Sequence, residues 1–511
     1  MYRTITPEEM KRVERAIMQE TGLPGLLLME HAAMAVVKAV RRLMRGRQGQ
    51  VLFLCGPGNN GGDGLAAARL WMNAGGQAQV WQLTSRMTGD AGVNRQLLKK
   101  LWPETPVVRL SDTADKLPPI GPEIGCIVDA LFGTGLNQPV QGVAYALIKK
   151  VNESGLPVVA VDIPSGLSGL TGMVMGEAVR AFVTVTFHRP KIGLYLNKGP
   201  EYAGRVKVAD IGLSKVMDDA PGMDVLLPKD LGALLPPRRR DTHKGDYGRV
   251  LVVAGSAGMA GAASICALSA LRTGAGLVTV ACPENVVPIV QQVSPCATCL
   301  PLPMEGAAFA REAENLVYEA ALRADAVAVG PGLGAFPDRL PLLQAVKRAG
   351  KPAVWDADAL NLLAVSRDML PMAGTNIFTP HPGEAARLMQ VSAGAVTADA
   401  AEAVQALWQT LGGVVLLKGA TTLLYDGSRL AVNITGTPAL AKGGSGDALT
   451  GILAALLAQG KELGHPPLML AQIGCCLHGH AARRAEKATG QRGLLATDLT
   501  WYLGKEPVTR R

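Results

Sequence analysis

Short apolar runs rich in β-branched residues recur along the chain, separated by stretches long enough for crossover helices. In the first half they occupy 51–55, 126–130, 158–163 and 182–187, and most are followed by a polar or glycine-rich turn. In the second half they occupy 249–254, 277–281, 326–329, 353–356, 376–378 and 414–417. This alternation predicts buried strands of largely parallel sheets and therefore an α/β protein.

The length of 511 residues suggests about two to four domains, and a hydrophobic content of 48% is ample for sizeable cores. Hydrophobic periodicity fades between 217 and 240, where prolines and arginines accumulate. We therefore predict a domain at 1–216, a solvated linker at 217–240 and a second domain at 241–508. Both halves are predicted to be α/β, but they share no set of motifs. This favours a fusion of two different domains over duplication of one domain.

Composition limits the classes of partner that we expect and indicates the cellular compartment. The net charge is +9, but aromatic residues make up only 4%, and no basic stripe is interleaved with aromatics, so we predict no nucleic-acid partner. Charged residues precede any long apolar run at the N-terminus, and no apolar run could span a bilayer. Eight cysteines without zinc-finger spacing are interpreted as reduced thiols. We expect a cytoplasmic protein that does not bind membranes, and a homo-oligomer.

A glycine-rich turn with one acidic residue precedes a strongly helical stretch at 448–457. It contains Gly444, Ser445, Gly446 and Asp447. Unpaired N–H groups in the first turn of a helix stabilise negative charge, and glycines let a phosphate approach closely. Asp447 would lie where a hydroxyl must lose its proton. The alternative is an ordinary helix cap.

Three turns of the first half follow separate predicted strands, and in a parallel sheet such ends lie on one edge, where α/β proteins bind ligands. The glycine spacing at 58–64 is not that of the dinucleotide fingerprint. Side-chain oxygens of Asn60, Asp129 and Ser165 could form an all-oxygen cage for a hard, weakly charged cation. The alternative is that Asn60 shapes a turn and Asp129 ends a strand.

The segments 58–64 (GNNGGDG), 129–136 (DALFGTGL), 162–167 (DIPSGL) and 188–194 (HRPKIGL) resemble the YjeF N-terminal domain family, the NAD(P)H-hydrate epimerases. The resemblance covers about 1–215 and implies a Rossmann-like, three-layer αβα domain. It implies potassium on Asn60, Asp129 and Ser165. It also implies that a hydrated dinucleotide is bound by Asn59, Asn60, Gly61, Gly62, Asp63, Gly133, Thr134, Gly135, Leu136, Asn137, Gln138, Pro139 and Asp162.

Epimerisation at C6 of the hydrated nicotinamide ring requires that carbon to become planar and then be attacked from the other face. A proton shuttle is therefore needed. Asp162 is our candidate acid/base, because a carboxylate at a strand end in a partly desolvated crevice can be tuned toward neutrality.

The second half carries HKGDYG at 243–248, TPHPGE at 379–384, KGATT at 418–422 and GSGD at 444–447. In this order they resemble the NAD(P)H-hydrate dehydratase branch of the ribokinase-like superfamily, over about 225–505. The resemblance implies a second αβα domain, with magnesium accompanying a bound ADP. The implied nucleotide contacts are Lys418, Gly419, Ala420, Thr421, Thr422, Gly444, Ser445 and Gly446; the implied substrate contacts are Ala263, Gly332, His381 and Asp447.

Hydroxide is a poor leaving group, and phosphorylation of a hydroxyl turns it into a better one. A kinase fold can therefore serve in dehydration. Asp447 would take the proton of the C6 hydroxyl, the oxygen would attack the terminal phosphate of the nucleotide, and phosphate would then leave. ADP is expected as the donor because the fused arrangement resembles bacterial members. AMP and phosphate would be released.

The leading hypothesis is a bifunctional repair enzyme that interconverts the R and S hydrates of NADH and NADPH (NADHX and NADPHX) and dehydrates the S form. The nearest alternative is a vitamin or sugar kinase with an N-terminal nucleotide-binding accessory domain. A third interpretation makes the first domain a non-catalytic sensing module, which its fold alone would allow. His381 could be a rigid loop residue, and we interpret His478 and His480 as structural rather than metal-binding.

Overall fold

A computed structural model gives the fold and describes residues 1–84, 86–110, 117–372 and 374–505. The chain separates into two compact units, one at Tyr2–Met223 and one that begins at Asp224 and includes Met1. None of the described helices combines the length and the apolar content of a membrane span. The eight cysteines carry free thiols.

The first unit is built on a seven-stranded, fully parallel sheet. In chain order its elements are β1 (Tyr2–Arg3), α1 (Pro7–Thr21), α2 (Gly25–Met44), β2 (Gln50–Cys55), α3 (Asn59–Asn73), β3 (Ala78–Gln82), α4 (Gly89–Leu101), β4 (Val107–Arg109), β5 (Ile124–Ala130), α5 (Gly142–Glu153), β6 (Val158–Val161), β7 (Val183–Phe187), α6 (Gly199–Ala203) and β8 (Arg205–Ala209). The sheet has the order β4-β3-β2-β5-β6-β7-β8.

Alternate residues of β2 face opposite layers of the first unit. Val51, Phe53 and Cys55 pack in one core with residues of α1, α2 and α3, whereas Leu52 and Leu54 pack with residues of α5. All five are fully buried. Burial on both sides explains why the strand is apolar throughout instead of alternating, and it makes this unit a three-layer αβα domain.

The second unit contains β9 (Asp224–Val225), α7 (Leu231–Leu234), β10 (Arg249–Val253), α8 (Ala260–Thr273), β11 (Leu277–Pro283), α9 (Val287–Val293), β12 (Thr298–Leu302), β13 (Met304–Glu305), β14 (Ala308–Phe309), α10 (Glu312–Arg323), β15 (Ala326–Val329), α11 (Leu340–Ala349), β16 (Ala353–Trp355), α12 (Asp358–Val365), β17 (Asn376–Phe378), α13 (Pro382–Met389), α14 (Ala393–Ala398), α15 (Ala400–Leu411), β18 (Val414–Leu417), β19 (Thr422–Tyr425), β20 (Leu430–Asn433), α16 (Ser445–Ala458), α17 (Gly460–Leu463), α18 (Pro467–Thr489) and α19 (Ala496–Thr500).

The main sheet of the second unit has the order β9-β20-β19-β18-β17-β16-β15-β10-β11-β12. Strands β10 to β12 and β15 to β18 run parallel, and β18, β19 and β20 form antiparallel pairs. Helices α8, α16 and α18 share a core with Val250, Val252 and Ala254 of one sheet face. Leu251 and Val253 are buried on the other face, and α10 also contacts β10. This arrangement is the predicted αβα architecture.

All ten predicted strands are confirmed, with small changes at their ends. The turn predicted at 58–64 is instead largely helical, because α3 already begins at Asn59. Glycines explain the close approach of this helix to the sheet. A Cβ atom on Gly61 would overlap the carbonyl oxygen of Gly56, and one on Gly64 would lie 2.6 Å from Cβ of Ala130.

The predicted linker at 217–240 is wrong for most of its length. Strand β9 pairs in parallel with β20, and Leu226 and Leu231 are buried in the core of the second unit. The first unit extends to Met223 because Arg189, through its Nη1, donates to Asp218 at 2.9 Å and to the carbonyl of Ala220 at 2.9 Å. These contacts join residues about 30 positions apart, which local composition does not reveal. The end predicted at 508 lies outside the described residues.

Candidate active sites

A cavity of about 700 Å³ lies at the carboxyl ends of β2, β5 and β6 in the first unit. The chain leaves β2 toward β3 and β4 but continues from β5 toward β6, so the cavity lies at the topological switch point of the sheet. Most predicted substrate contacts line it: Asn59, Asn60, Asp63, Gly133, Thr134, Gly135, Leu136, Asn137, Gln138, Pro139 and Asp162. Gly61 and Gly62 are buried against neighbouring residues and are not among those that line it.

Two of the predicted cation ligands, Asp129 and Ser165, are in direct contact behind this cavity. Ser165 donates from its Oγ to Oδ1 of Asp129 at 2.5 Å and from its backbone N–H to Oδ2 at 2.8 Å. The Ser165 hydroxyl also lies 3.2 Å from the carbonyl oxygen of Phe132. A Cβ atom on Gly133 would lie 3.2 Å from the Asn60 side chain, whose Nδ2 is buried with no hydrogen-bond partner in the described part of the chain. Burial raises the pKa of Asp129 to about 6, against the opposing effect of the hydrogen bonds from Ser165.

Asp162 follows β6 directly and forms an ion pair that the sequence did not predict. Nζ of Lys191 lies 2.5 Å from Oδ1 of Asp162, and the Lys191 side chain is only 1% exposed. The backbone of Asp162 has φ of +65°, which is uncommon for a residue other than glycine. Lys191 lies in the quoted 188–194 motif, but neither its spacing nor its neighbours indicated a partner.

Two further carboxyl groups belong to the same electrostatic environment. Burial, with repulsion from Asp162, raises the pKa of Asp63 well above its usual value. Burial also raises the pKa of Glu14, and attraction to Lys191 opposes that shift. Glu14 lies on α1 and lines the cavity. Nothing in the sequence distinguished it from the other charged residues of an amphipathic helix.

In the second unit, Asp447 lies in the first turn of α16, whose N-cap is Gly444 with φ of +89°. A Cβ atom on Gly446 would lie 3.5 Å from Nζ of Lys418 and 3.6 Å from Oδ2 of Asp356. The glycine-rich turn therefore meets the ends of β16 and β18. Ser445 Oγ is buried with no hydrogen-bond partner in the described ranges.

Asp356 connects these elements, although in the sequence it only marked the end of the predicted strand at 353–356. Its carboxylate is fully covered and accepts from Nζ of Lys418 at 2.7 Å, Oγ1 of Thr379 at 2.8 Å and Oγ1 of Thr450 at 2.7 Å. Burial alone would raise the pKa of Asp356, but Lys418 and the two hydroxyl groups outweigh it, so the pKa is lowered. Asp356 and Thr450 are site residues that the sequence did not identify.

The charges around Asp447 act in opposite directions. Burial, followed by repulsion from Asp356, raises the pKa of Asp447 to about 6, while Lys418 opposes the shift. Burial would lower the pKa of Lys418, but attraction to Asp356 and Glu384 raises it overall. Lys418 is thus a cation and Asp447 is a carboxylate that can accept a proton near neutral pH.

His381 caps helix α13, as expected of a rigid loop residue. Its Nδ1 accepts from the N–H of Gly383 at 3.0 Å, and its Nε2 lies 3.3 Å from Glu384. Its side chain is half exposed, so His381 can also contact a substrate. Burial raises the pKa of Glu384 to about 7, and Lys418 lies 3.9 Å away.

Gly332 and Ala263 lie near the end of β10. The Ser256 hydroxyl donates to the carbonyl of Gly332 at 2.9 Å, and Gly332 has φ of +59°. Ala263 is fully buried, so its side chain offers no surface to a ligand in this conformation. A cavity of about 830 Å³ adjoins this region and is lined by Ser256, Met259 and other residues of the second unit.

The remaining predicted nucleotide contacts form an exposed connection between β18 and β19. It contains Gly419, Ala420 and Thr421, and Thr422 begins β19. His478 is buried in α18, and burial lowers its pKa to about 4. Within the described ranges, no group of three or more His, Cys, Asp or Glu side chains could hold a metal ion.

Two protein families match separate parts of the chain. Residues 250–505 match the family described as NAD(P)H-hydrate dehydratase, and residues 25–193 match the family described as YjeF-related protein N-terminus. A dehydratase structure from Bacillus subtilis, described as ADP/ATP-dependent NAD(P)H-hydrate dehydratase co-crystallised with ATP and Mg²⁺, is 30% identical. It covers 55% of this chain and 97% of its own, with a TM-score of 0.47.

Relatives named bifunctional NAD(P)H-hydrate repair enzyme Nnr align with nearly the whole chain. The Moorella thermoacetica protein is 36% identical over 98% of this chain and 95% of its own length. The Coxiella burnetii protein is 39% identical over 97% of each, and the Escherichia coli protein is 36% identical over 96% of this chain and 91% of its own. The chain therefore belongs to the family of bifunctional NAD(P)H-hydrate repair enzymes, with an epimerase-family domain followed by a dehydratase-family domain.

Proposed function

We propose that this protein epimerises the R and S hydrates of NADH and NADPH in its first unit and dehydrates the S hydrate in its second. The observation that carries the proposal is the meeting of Asp447, the glycine-rich turn and the Lys418–Asp356 pair at one sheet edge. These groups provide a base, an anion site and a fixed cation. The full-length match to repair enzymes extends the proposal to both units.

The epimerase reaction requires the bond between C6 and its oxygen to break and to form again on the other face. Loss of that oxygen as water needs a proton, and addition of water returns one. Asp162 lines the cavity and would transfer this proton. The hydrated dinucleotide would lie against the turn at 133–139 and the first turn of α3, where a helix N-terminus favours phosphate.

Potassium fits the residues behind this cavity. Asn60, Asp129, Ser165 and the carbonyl of Phe132 supply oxygen atoms with a single negative charge, a set suited to a monovalent cation. A cation there would stabilise the Asp129 carboxylate, which is otherwise buried without a positive partner in the described structure. Its chemical contribution would be to hold the wall of the substrate cavity through Phe132 and Gly133.

In the second unit Asp447 would take the proton of the C6 hydroxyl, so that its oxygen attacks the terminal phosphorus of ADP and AMP leaves. The C6–O bond to phosphate then breaks, and loss of a proton from C5 restores the double bond of the reduced nicotinamide. Backbone N–H groups at 444–446 and the Lys418 ammonium would stabilise the transferring phosphoryl group. Magnesium bound with the nucleotide would neutralise phosphate charge.

A vitamin or sugar kinase with an accessory domain has less support, because the relatives that align with both halves are named as repair enzymes. Such a kinase would leave a stable phosphate ester rather than restore NADH. We also propose a cytoplasmic location, in keeping with the proposed soluble dinucleotide substrates. As a separate proposal, the protein is a homo-oligomer. Light scattering during size-exclusion chromatography tests the oligomeric state.

One assay tests both activities. Purified protein is incubated with mixed R and S NADH hydrates, magnesium and ADP, and NADH recovery is followed by absorbance after subtraction of spontaneous epimerisation. We expect full recovery. Recovery that stops at the S fraction would show that the first unit is not an epimerase, and no recovery would contradict the dehydratase. A phosphorylated product that persists would favour the kinase.

A further inference from the structure

Lys191 places a charged group in the interior of the first unit. Its Nζ lies 2.5 Å from Oδ1 of Asp162, 3.2 Å from the carbonyl oxygen of Phe187 and 3.5 Å from Oγ1 of Thr186. The side chain is 1% exposed. An ammonium group that has lost nearly all its water is stable only with a close counter-charge and further hydrogen bonds. Burial of Lys191 therefore costs solvation free energy, and the carboxylate in direct contact with its ammonium is that of Asp162.

The hydrogen bonds that described residues donate to the Asp162 carboxylate all end on one oxygen. Oδ1 accepts from Lys191, from Oγ1 of Thr186 at 3.1 Å and from the backbone N–H of Phe187 at 3.3 Å. Oδ2 accepts no hydrogen bond from any described residue. Asp162 lines the substrate cavity. The side chain is therefore held through one oxygen, and the other is available for chemistry.

The backbone holds Asp162 in the same arrangement. Its φ of +65° costs energy for a residue with a Cβ atom, and its N–H donates to the carbonyl of Val185 at 2.7 Å. Backbone strain of this kind is concentrated at functional sites. A parallel β-bridge with Ile5 also fixes the backbone of Lys191 to the N-terminal segment.

The ammonium lies among several titratable groups. Around the cavity these are Glu14 and Lys11 from α1, Asp63 from α3, Asp90 from α4 and Asp162 after β6. Attraction to Lys191 opposes the raised pKa of both Glu14 and Asp63. Among the described carboxyl groups at this cavity, only Asp162 lies within hydrogen-bond distance of the buried ammonium.

We propose that Lys191 is a positioning residue of the epimerase, whose ammonium holds the Asp162 carboxylate through Oδ1 so that Oδ2 is oriented to exchange a proton with the substrate. The proposal rests on the proposed role of Asp162. Lys191 thereby determines which of several carboxyl groups in the cavity exchanges the proton, because Asp162 is the one in contact with its ammonium.

The test measures conversion of R to S hydrate by chromatography from about pH 5 to pH 9 without nucleotide, so that no dehydration follows. Lys191→Met removes the ammonium, Lys191→Arg keeps a cation, and Lys198→Met is the matched control on an exposed lysine of the same segment. We expect Lys191→Met to lose ~100-fold or more at neutral pH. Its pH profile should differ from that of the wild type, because the positive charge beside the carboxylate that exchanges the proton is gone. Lys191→Arg should retain more activity than Lys191→Met, and Lys198→Met should match the wild type.

Two measurements separate this role from a general effect on folding. Propylamine, which supplies an ammonium group, should restore part of the activity of Lys191→Ala but not of Asp162→Asn. The double variant Asp162→Asn with Lys191→Met should lose no more than Asp162→Asn alone, because no carboxylate remains to be held. An equal loss at every pH, with no rescue and no benefit from arginine, would mean a structural role only and would overturn the proposal.

The result also distinguishes this inference from the function on which it rests. An active wild type, an inactive Asp162→Asn and an unchanged pH profile for Lys191→Met would overturn the role of Lys191 alone. An active Asp162→Asn would remove the assigned base and the role of Lys191 with it. A wild type that does not epimerise would overturn the proposed function itself.

Discussion

Lys418 and Asp356 form an ion pair of 2.7 Å that joins the ends of β18 and β16. Thr379, which follows the intervening strand β17, donates to the same carboxylate, and so does Thr450 of α16. One buried carboxylate thus connects three strand ends with the helix that carries Asp447. The position of the proposed base relative to the Lys418 cation depends on this connection.

We expect Lys418→Met to destabilise the second unit by ~3–5 kcal/mol, because Asp356 would remain buried without its counter-ion. Adding Asp356→Leu to this variant should recover much of the stability but no dehydratase activity. Thermal unfolding measures the effect, and the transition of the second unit is identified as the one that ADP shifts. Lys461→Met, an exposed lysine of α17, is the control. A single variant as stable as this control would contradict the importance of the pair.

The pKa of Asp447 predicts how the rate of dehydration depends on pH. A base must be ionised to accept a proton, and burial raises the pKa of Asp447 to about 6, so dehydration should fall roughly tenfold per pH unit below that value. Asp447→Ala should abolish ADP-dependent dehydration and leave epimerisation intact. Initial rates of NADH formation from S hydrate, at saturating ADP, measure the first effect. Loss of both activities in a folded variant would contradict two separate sites.

The glycine-rich turn offers a matched pair of substitutions. Gly444 has φ of +89°, and a Cβ atom there would lie 2.9 Å from Cβ of Ala496 and 3.0 Å from Cδ1 of Ile265. Gly443 has no such φ, and its Cβ atom would meet nothing within 4 Å. We expect the turn of Gly444→Ala to relax away from the left-handed backbone; restoring it on binding at ~1–2 kcal/mol predicts a Kd for ADP raised ~5- to 30-fold. Calorimetry should find Gly443→Ala near the wild type; equal effects would refute this explanation.

Potassium dependence tests the site behind the first cavity. Ser165→Ala removes a donor to Asp129 and a proposed ligand, so the potassium concentration for half-maximal epimerisation should rise by ~10-fold or more. Burial raises the pKa of Asp129 to about 6, so protonation below that pH should weaken the wild-type response to potassium. Ser154→Ala, at the end of α5, is the control. A wild type indifferent to potassium would exclude the cation role.

The elements of the fold were largely predictable because each leaves a local pattern. A strand buried on both faces is apolar along its length, as in β2, and an amphipathic helix such as α1 repeats its buried residues Met10, Val13 and Ile17. The boundary between the units was not predictable in this way. Arg189 ties residues up to Ala220 to the first unit, and pairing of β9 with β20 draws the following segment into the second.

The sequence by itself determined the α/β class and singled out Asp162, Lys418 and Asp447 as candidate site residues, because each motif is short and continuous. Only the tertiary structure revealed that Asp356 holds Lys418 and that Lys191 holds Asp162. These pairs join residues 62 and 29 positions apart. A carboxylate acquires its ionisation state from burial and from the charges that folding brings near it, and neither is a property of the neighbouring sequence.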